Sequence, residues 1–321
     1  MHPAPLPLTR DIVLIGGGHT HALVLRMWGM DPLPGVRLTV INPLPTAAYS
    51  GMLPGHVAGH YPRAALQLDL VRLARHAGAR LILGRATGID RAARQVIGPG
   101  RAPVAYDFAS LDIGITGEMP QIPGFAAHVT PAKPLDAFAD AWATFAATAG
   151  PGARIAVIGG GVAGVELALA ARHRLPQARA TVYEAGPQAL AALGPGARGR
   201  MLGHCARPGV AVETGARVAE ARAGALVLAD GRIVPADFLL GTGATRPADW
   251  LAGTGLTLHE DFVTVAPSLQ SSDPAIFAAG DIAHLAHAPR PKAGVYAVRE
   301  APVLFQNLRA AAMGRPLRPY Q

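Results

Sequence analysis

The chain has 321 residues, half of them apolar and 16% charged, with a formal net charge of +8. That length buries a large core and suits two domains, while no uninterrupted apolar run reaches the roughly 18 residues of a membrane span. A single cysteine, Cys205, excludes an intramolecular disulfide framework or a paired-cysteine redox motif and fits a reducing cytosol.

The N-terminal stretch Met1 to Pro7 is proline-rich and lacks the basic start and apolar run of a secretory signal. Asp11-Ile-Val-Leu-Ile15 then predicts a buried strand, Gly16-Gly-Gly18 a tight turn, and the residues after it a helix, with a next strand over Leu38-Thr-Val-Ile-Asn42. The segment 49–61 is rich in glycine and aromatics rather than core aliphatics. A helix is expected over 66–77, a strand over 80–85, and a short β-meander over 88–106 with turns at 91–94 and 98–100. A strand over 107–115 ends in Gly114-Ile-Thr116, and the Pro/Gly-rich stretch Met119 to Gly124 reads as a linker before a helix over 135–147.

Ile155-Ala-Val-Ile158 followed by Gly159-Gly-Gly161-Val-Ala-Gly164 is the most specific signal. The β-branched run reads as a buried parallel strand, and the glycines open a helix. The first permits the turn, the second lets a pyrophosphate approach the backbone, and the third lets helix and strand pack closely. Thr181-Val-Tyr-Glu184 is a second strand ending in an acid, the position from which a carboxylate bonds an adenosine ribose and repels a 2′-phosphate. NADH is therefore expected over NADPH. The first module repeats this one. Gly16 to Gly159 is 143 positions and Asn42 to Glu184 is 142, so duplicated dinucleotide-binding units are expected. The first copy departs from the pattern, with His21 where the third glycine stands and Asn42 in place of the acid.

Towards the end, Ala275-Ile-Phe-Ala-Ala-Gly-Asp281 is a strand whose edge carries a carboxylate, suited to ribityl hydroxyls. The helix after Pro291 aims its positive end at whatever lies beside it, which suits a reduced flavin. Two dinucleotide modules and this carboxylate together point to FAD.

Gly16-x-Gly18, Gly159-x-Gly161-x-x-Gly164, Gly241-Thr-Gly243-Ala and Phe277-Ala-Ala-Gly280-Asp281 resemble the two-dinucleotide-domain flavoprotein reductases of the pyridine nucleotide-disulfide superfamily, over nearly the whole chain. Gly16-Gly-Gly-His-Thr-His21, Tyr49-Ser-Gly-Met-Leu-Pro-Gly55 and Pro291-Lys-Ala-Gly-Val-Tyr-Ala297 resemble a type II NADH dehydrogenase-like branch associated with selenide, water dikinase. The resemblance implies an α/β protein of two Rossmann-like domains, the second inserted in the first. Residues 1–117 begin the FAD-binding domain, 118–250 form the NAD(H)-binding domain, and 251–321 return to the first. It implies cofactor contacts from Gly16, Gly18, His19, Asn42, Gly114, Thr116, Gly280 and Asp281 for FAD, and from Gly159, Gly161, Gly164, Glu184 and Gly243 for NADH.

Hydride transfer from nicotinamide to flavin is the expected chemistry, with the flavin supplying reactivity and the protein position and electrostatics. Glu166 is a candidate to face the nicotinamide, or else an ordinary first-turn acid favoured by the helix dipole. Lys292, one of two lysines, is a candidate to stabilise the reduced flavin; the other, Lys133, reads as a solvated residue. His56 is a candidate for the flavin's far face. His19, His21, His56, His60, His284 and His287 do not make a ligand set, so no metal is expected. The acceptor stays open between a quinone and a selenium- or sulfur-linked partner. No redox-active disulfide is expected, and no nucleic acid, since the arginines are dispersed. The expected place is the cytoplasm or the inner face of the membrane, with little or no membrane association and a homodimer left open. The alternative class is a flavin-bearing electron-transfer or scaffold module working with selenide, water dikinase.

Overall fold

The computed structural model describes residues 10–117, 121–242 and 245–321. The Met1–Pro7 stretch, the start of the expected linker at Met119 and Pro120, and Gly243 with Ala244 lie outside the described residues. In chain order the helices are α1 (His19–Met30), α2 (Leu53–Val57), α3 (Leu70–Ala77), α4 (Phe125–His128), α5 (Leu135–Thr148), α6 (Val162–Arg174), α7 (Pro195–Ala206) and α8 (Gly294–Ala312).

The chain divides into two compact units, Met1–Tyr49 with Gln67–Ile115 and Pro247–Gln321, and Ser50–Leu66 with Thr116–Arg246. In the first, five parallel strands lie in the order Ile276–Ala278, Phe108–Leu111, Arg10–Ile15, Val36–Asn42, Arg80–Leu83. The central strands are apolar on both faces because helices cover a parallel sheet from both sides. Ile12, Leu14, Ile15, Ile276 and Phe277 are all fully buried. Trp28 of α1 meets Phe305 of α8 edge-on at 6.0 Å. The order reverses between Arg10–Ile15 and Phe108–Leu111, so the crevice where ligands bind such sheets opens beyond Ile15 and Leu111. The expected meander is present as Gly88–Asp90, Gln95–Ile97 and Val104–Ala105.

The second unit repeats the plan. Thr130–Pro131, Phe238–Gly241, Arg154–Ile158, Arg179–Tyr183 and Val210–Glu213 form a parallel sheet in that order. Its switch point lies beyond Ile158 and Gly241, and it too carries a three-stranded antiparallel meander, Val218–Arg222, Ala225–Leu228 and Ile233–Pro235. Mixed α/β architecture with two parallel sheets is thus the fold expected.

Two local expectations change. The helix expected from 66 begins at Leu70. Gln67–Asp69 pairs with Thr46–Ala48 instead, and the Asp69 carboxylate accepts from the Arg72 amide at 2.9 Å, so the acid starts the helix rather than lying inside it. The glycine-rich 50–66 segment groups with the second unit, whereas the sequence placed it in the first. Leu53, Val57 and Leu66 are apolar positions that bury in the core around Trp142 and Val165, and the Trp142 indole donates to the Val57 carbonyl at 3.1 Å.

Candidate functional site

In the second unit the glycine turn follows its strand directly. Gly159 has φ +109°, a conformation that L side chains rarely adopt, and its amide donates to the Tyr183 carbonyl at 2.9 Å. Gly161 is the N-cap of α6 with no side-chain cap, and no atom lies within 4 Å of the place its Cβ would occupy. The backbone at Gly161 is therefore open to approach, as a pyrophosphate requires. Gly164 is needed for close packing, since a Cβ there would fall on the Gly159 carbonyl oxygen. The Thr242 hydroxyl lies 3.2 Å from that same oxygen and donates to it. The Glu184 carboxylate accepts from the Gly160 amide at 2.8 Å and the Gly186 amide at 2.7 Å. An ionised carboxylate has about four acceptor sites, so these two bonds leave capacity for hydroxyl donors.

The first unit shows the same turn with different side chains. Gly16 has φ +89°, and Gly18 is the uncapped N-cap of α1. Asn42 stands where Glu184 stands, and its Oδ1 accepts from the Gly17 amide at 3.0 Å as Glu184 does from Gly160. Its amide nitrogen donates to the Leu44 and Thr46 carbonyls, which uses both hydrogens on the turn itself. His21 fills the place of the third glycine. Its ring is fully buried, with Nδ1 2.7 Å from the Gly16 carbonyl and Nε2 2.8 Å from the Ser110 hydroxyl. A carbonyl only accepts, so Nδ1 carries the proton and Nε2 accepts from Ser110. Burial lowers the imidazole to about 4, opposed by the bond to Gly16, and the ring is neutral. The glycine's role of close approach is replaced by an imidazole spacer bonded at both ends.

Around this turn lie two buried carboxylates that the sequence did not single out. Asp112 follows the strand Phe108–Leu111 and accepts from the His21 amide at 3.0 Å. Glu300 of α8 accepts from the Gly280 amide at 2.6 Å. Desolvation pushes Asp112 up to about 7, against its bond from His21 and with Asp281 adding to the rise. Desolvation likewise pushes Glu300 up to about 7, against the Gly280 bond and Lys292 and with Asp112 and Asp281 adding to it. The available signal for Asp112 was its position one residue past a central strand at the switch point, where Thr242 stands in the other unit.

The other expected residues fall as follows. His19 opens α1, its ring edge-on to Tyr49 at 4.7 Å and 3.0 Å from where a Gly294 Cβ would lie. Gly114 sits at φ +66° just past Asp112. Gly280 and Asp281 form the turn after the strand Ile276–Ala278. Thr116–Gly117 groups with the second unit, where it pairs with Thr245–Arg246. Gly243 lies outside the described residues. Glu166 is on the exposed side of α6, its carboxyl raised by partial desolvation. The Lys292 ammonium donates to the Ala283 carbonyl at 2.5 Å and lies 4.0 Å over the Phe262 ring. Burial lowers it, opposed by Asp281, Glu300 and Glu260. His56 is in the second unit, donating to the Tyr61 carbonyl at 3.0 Å. Among the described residues no group of three metal-ligating side chains converges.

Two doubly wound sheets, each with a glycine turn leading into a helix at its switch point, define a two-dinucleotide-domain protein. The chain belongs to the pyridine nucleotide-disulphide oxidoreductase family, whose profile matches residues 10–301. This is a family of FAD- and NAD(P)H-dependent oxidoreductases. The chain is 33% identical over 241 residues to the ferredoxin–NAD(+) reductase component of the biphenyl dioxygenase system of Paraburkholderia xenovorans, covering 71% of this chain and 56% of that one. It is 25% identical over 182 residues to the NADH dehydrogenase-like protein YutJ of Bacillus subtilis, covering 55% and 49%. The match thus spans about half the length of these curated relatives. Among solved structures, the ferredoxin reductase for the CYP199A2 system from Rhodopseudomonas palustris superimposes with a TM-score of 0.82 at 22% identity, over 98% of this chain and 78% of that one. The water-forming NADH oxidase from Lactobacillus brevis, bound to NADH, gives 0.79 at 21% identity, over 97% and 71%.

Proposed function

We propose that the protein is an FAD-dependent NADH oxidoreductase that takes hydride from NADH in its second unit and passes electrons from FAD in its first unit to a separate acceptor. The observation that carries this is Glu184, an acid with spare acceptor sites tied to the middle of a glycine turn whose helix N-terminus is open. The other copy has the neutral Asn42, whose two amide hydrogens are taken by the Leu44 and Thr46 carbonyls and whose Oδ1 accepts from Gly17. One unit carries an acid that repels a 2′-phosphate, the other does not.

FAD, when bound, supplies two-electron acceptance and donation. The chain's own residues do the rest. Gly159 and Gly161 present the α6 amides to the NADH diphosphate, Gly164 keeps helix and strand close, and Glu184 accepts from the ribose while repelling a 2′-phosphate. Gly16, Gly18 and His19 present α1 to the FAD diphosphate, and Asp281 accepts from its ribityl chain. Glu166 faces the nicotinamide. Lys292 steadies the Ala283 strand beside Asp281 and keeps a positive charge there. Cys205, 2% exposed, takes no part, and no disulfide enters the cycle.

The acceptor is a quinone or a selenium- or sulfur-linked partner, with selenide, water dikinase as the protein partner tested first. Because one relative is a ferredoxin–NAD(+) reductase component, an iron–sulfur carrier joins the panel. The proposed place is the cytoplasm, at most peripheral to the inner membrane face; no helix among the described residues is long and apolar enough to cross a membrane. An anaerobic NADH titration followed by reoxidation with each acceptor tests the reading. Reduction by NADH without turnover on any soluble acceptor would favour a flavin-bearing module that passes electrons only within a complex.

A further inference from the structure

Asp112 and Glu300 are 3% and 1% exposed and bear on one residue, Gly280, from two sides. Glu300 accepts the Gly280 amide hydrogen at 2.6 Å, and an Asp112 oxygen lies 2.6 Å from where a Gly280 Cβ would be. Asp112 also occupies the inner side of the α1 N-terminus. It takes the His21 amide, and a Cβ on Gly18 would fall on its carboxylate. The charges facing the pair are few. From α1 come Thr20 and a neutral His21, from the turn comes the third carboxylate, Asp281, and from the segment before α8 come Lys292 and, on the cavity that Glu300 lines, Arg290. The Tyr320 phenol also faces Glu300. Lys292 is held by the Ala283 carbonyl and the Phe262 ring.

Two buried carboxylates therefore stand beside the helix N-terminus that the proposed function assigns to a diphosphate. A dianion brought there adds its repulsion to that between the buried carboxylates. We propose that Asp112 and Glu300 are a proton-linked carboxyl pair, and that binding of the dinucleotide in the first unit takes up a proton onto them. This rests on the FAD reading of that unit. Both groups titrate near neutrality in the free protein because burial penalises their charge. An adjacent diphosphate raises them further. Linkage then requires the reciprocal effect: protonation strengthens binding, and affinity falls as pH rises through and above the pair's titration.

Two measurements on the full chain test this. The first follows the infrared carbonyl band of buried carboxylic acids from pH 5 to 9, without added nucleotide, in the native protein, D112N and E300Q. An acid band that persists at pH 6, disappears by pH 9 and is diminished in each variant is expected. Full ionisation of both groups at pH 6 overturns the proposal whatever the nucleotide. The second follows equilibrium release of FAD on dilution between pH 6 and 9, with circular dichroism reporting that the fold is intact. Affinity about tenfold weaker at pH 9 than at pH 7 is expected, flattened to less than about threefold in D112N. E300Q is the alternative should D112N not fold, since a glutamine still accepts from Gly280. FAD bound with the same affinity throughout this range overturns the linkage and leaves the FAD reading intact. No FAD binding at any pH, beside an infrared titration as expected, removes the FAD reading and with it the linkage.

Discussion

His21 and Gly164 occupy equivalent places in two copies of one turn and solve the same problem differently. Gly164 lets α6 close onto Gly159, while His21 bridges Gly16 to Ser110. The sequence showed that His21 breaks the glycine pattern but not why, because its partner Ser110 lies 89 residues away. Replacing His21 with Gly restores the motif yet leaves a void and an unpaired Ser110, and a loss of about 2–4 kcal/mol in urea unfolding is expected. The imidazole drops from 6.5 to about 4 on folding, so its contribution is present above pH 6.5 and is lost as pH falls towards 4. His21→Gln removes that acid-side slope, measurable as the difference in Tm between native and variant at pH 7.5 and 5. Asp112 has the opposite sign. Its folded value of about 7 lies above its ordinary 3.8, so burial costs stability as pH rises between them. D112N gains at pH 8 relative to pH 5, by about 2–3 kcal/mol. At Glu184, truncation to Ala strips acceptors from the Gly160 and Gly186 amides. Bonds to a charged acceptor are worth about 1.5–3 kcal/mol, so KM for NADH should rise at least about tenfold and the preference over NADPH should vanish.

Helices and strands were legible where period and punctuation agreed. The runs before Gly16 and Gly159 are unbroken β-branched and aliphatic residues, and a parallel strand buried on both faces needs that. The start of α3 was not legible, because Leu66 to Ala77 reads as one helix until the antiparallel partner Thr46–Ala48 claims Gln67–Asp69. Nor was the 50–66 segment, whose few apolar residues carry no period and find their core only through Trp142 and α6. Packing of α6 on its strand makes a test at this scale. Gly164→Ala must push helix from strand and should abolish NADH binding while FAD stays bound, as read by NADH titration and by the visible spectrum. In the first unit Phe277, fully buried, supports the strand that carries Gly280 and Asp281. Phe277→Ala should cost about 3–5 kcal/mol in chemical unfolding and release flavin first.

For the molecule as a whole, the duplication was visible in two offsets differing by one position, and the family followed from the two glycine turns together with the strings at Gly241 and at Phe277 to Asp281. The carboxylates Asp112 and Glu300 were not visible as a pair, since they lie 188 positions apart and only folding brings both to Gly280. The acceptor is not written in either glycine turn. It depends on surface chemistry that the redox core does not dictate, and relatives with the same fold differ in what they reduce. The central claim is that electrons enter as hydride from NADH into FAD held by this chain. An anaerobic visible spectrum before and after one equivalent of NADH tests it most directly. The account predicts a yellow protein that bleaches rapidly with NADH and more slowly with NADPH. A yellow protein left oxidised by NADH, or a colourless one even after incubation with FAD, would contradict it.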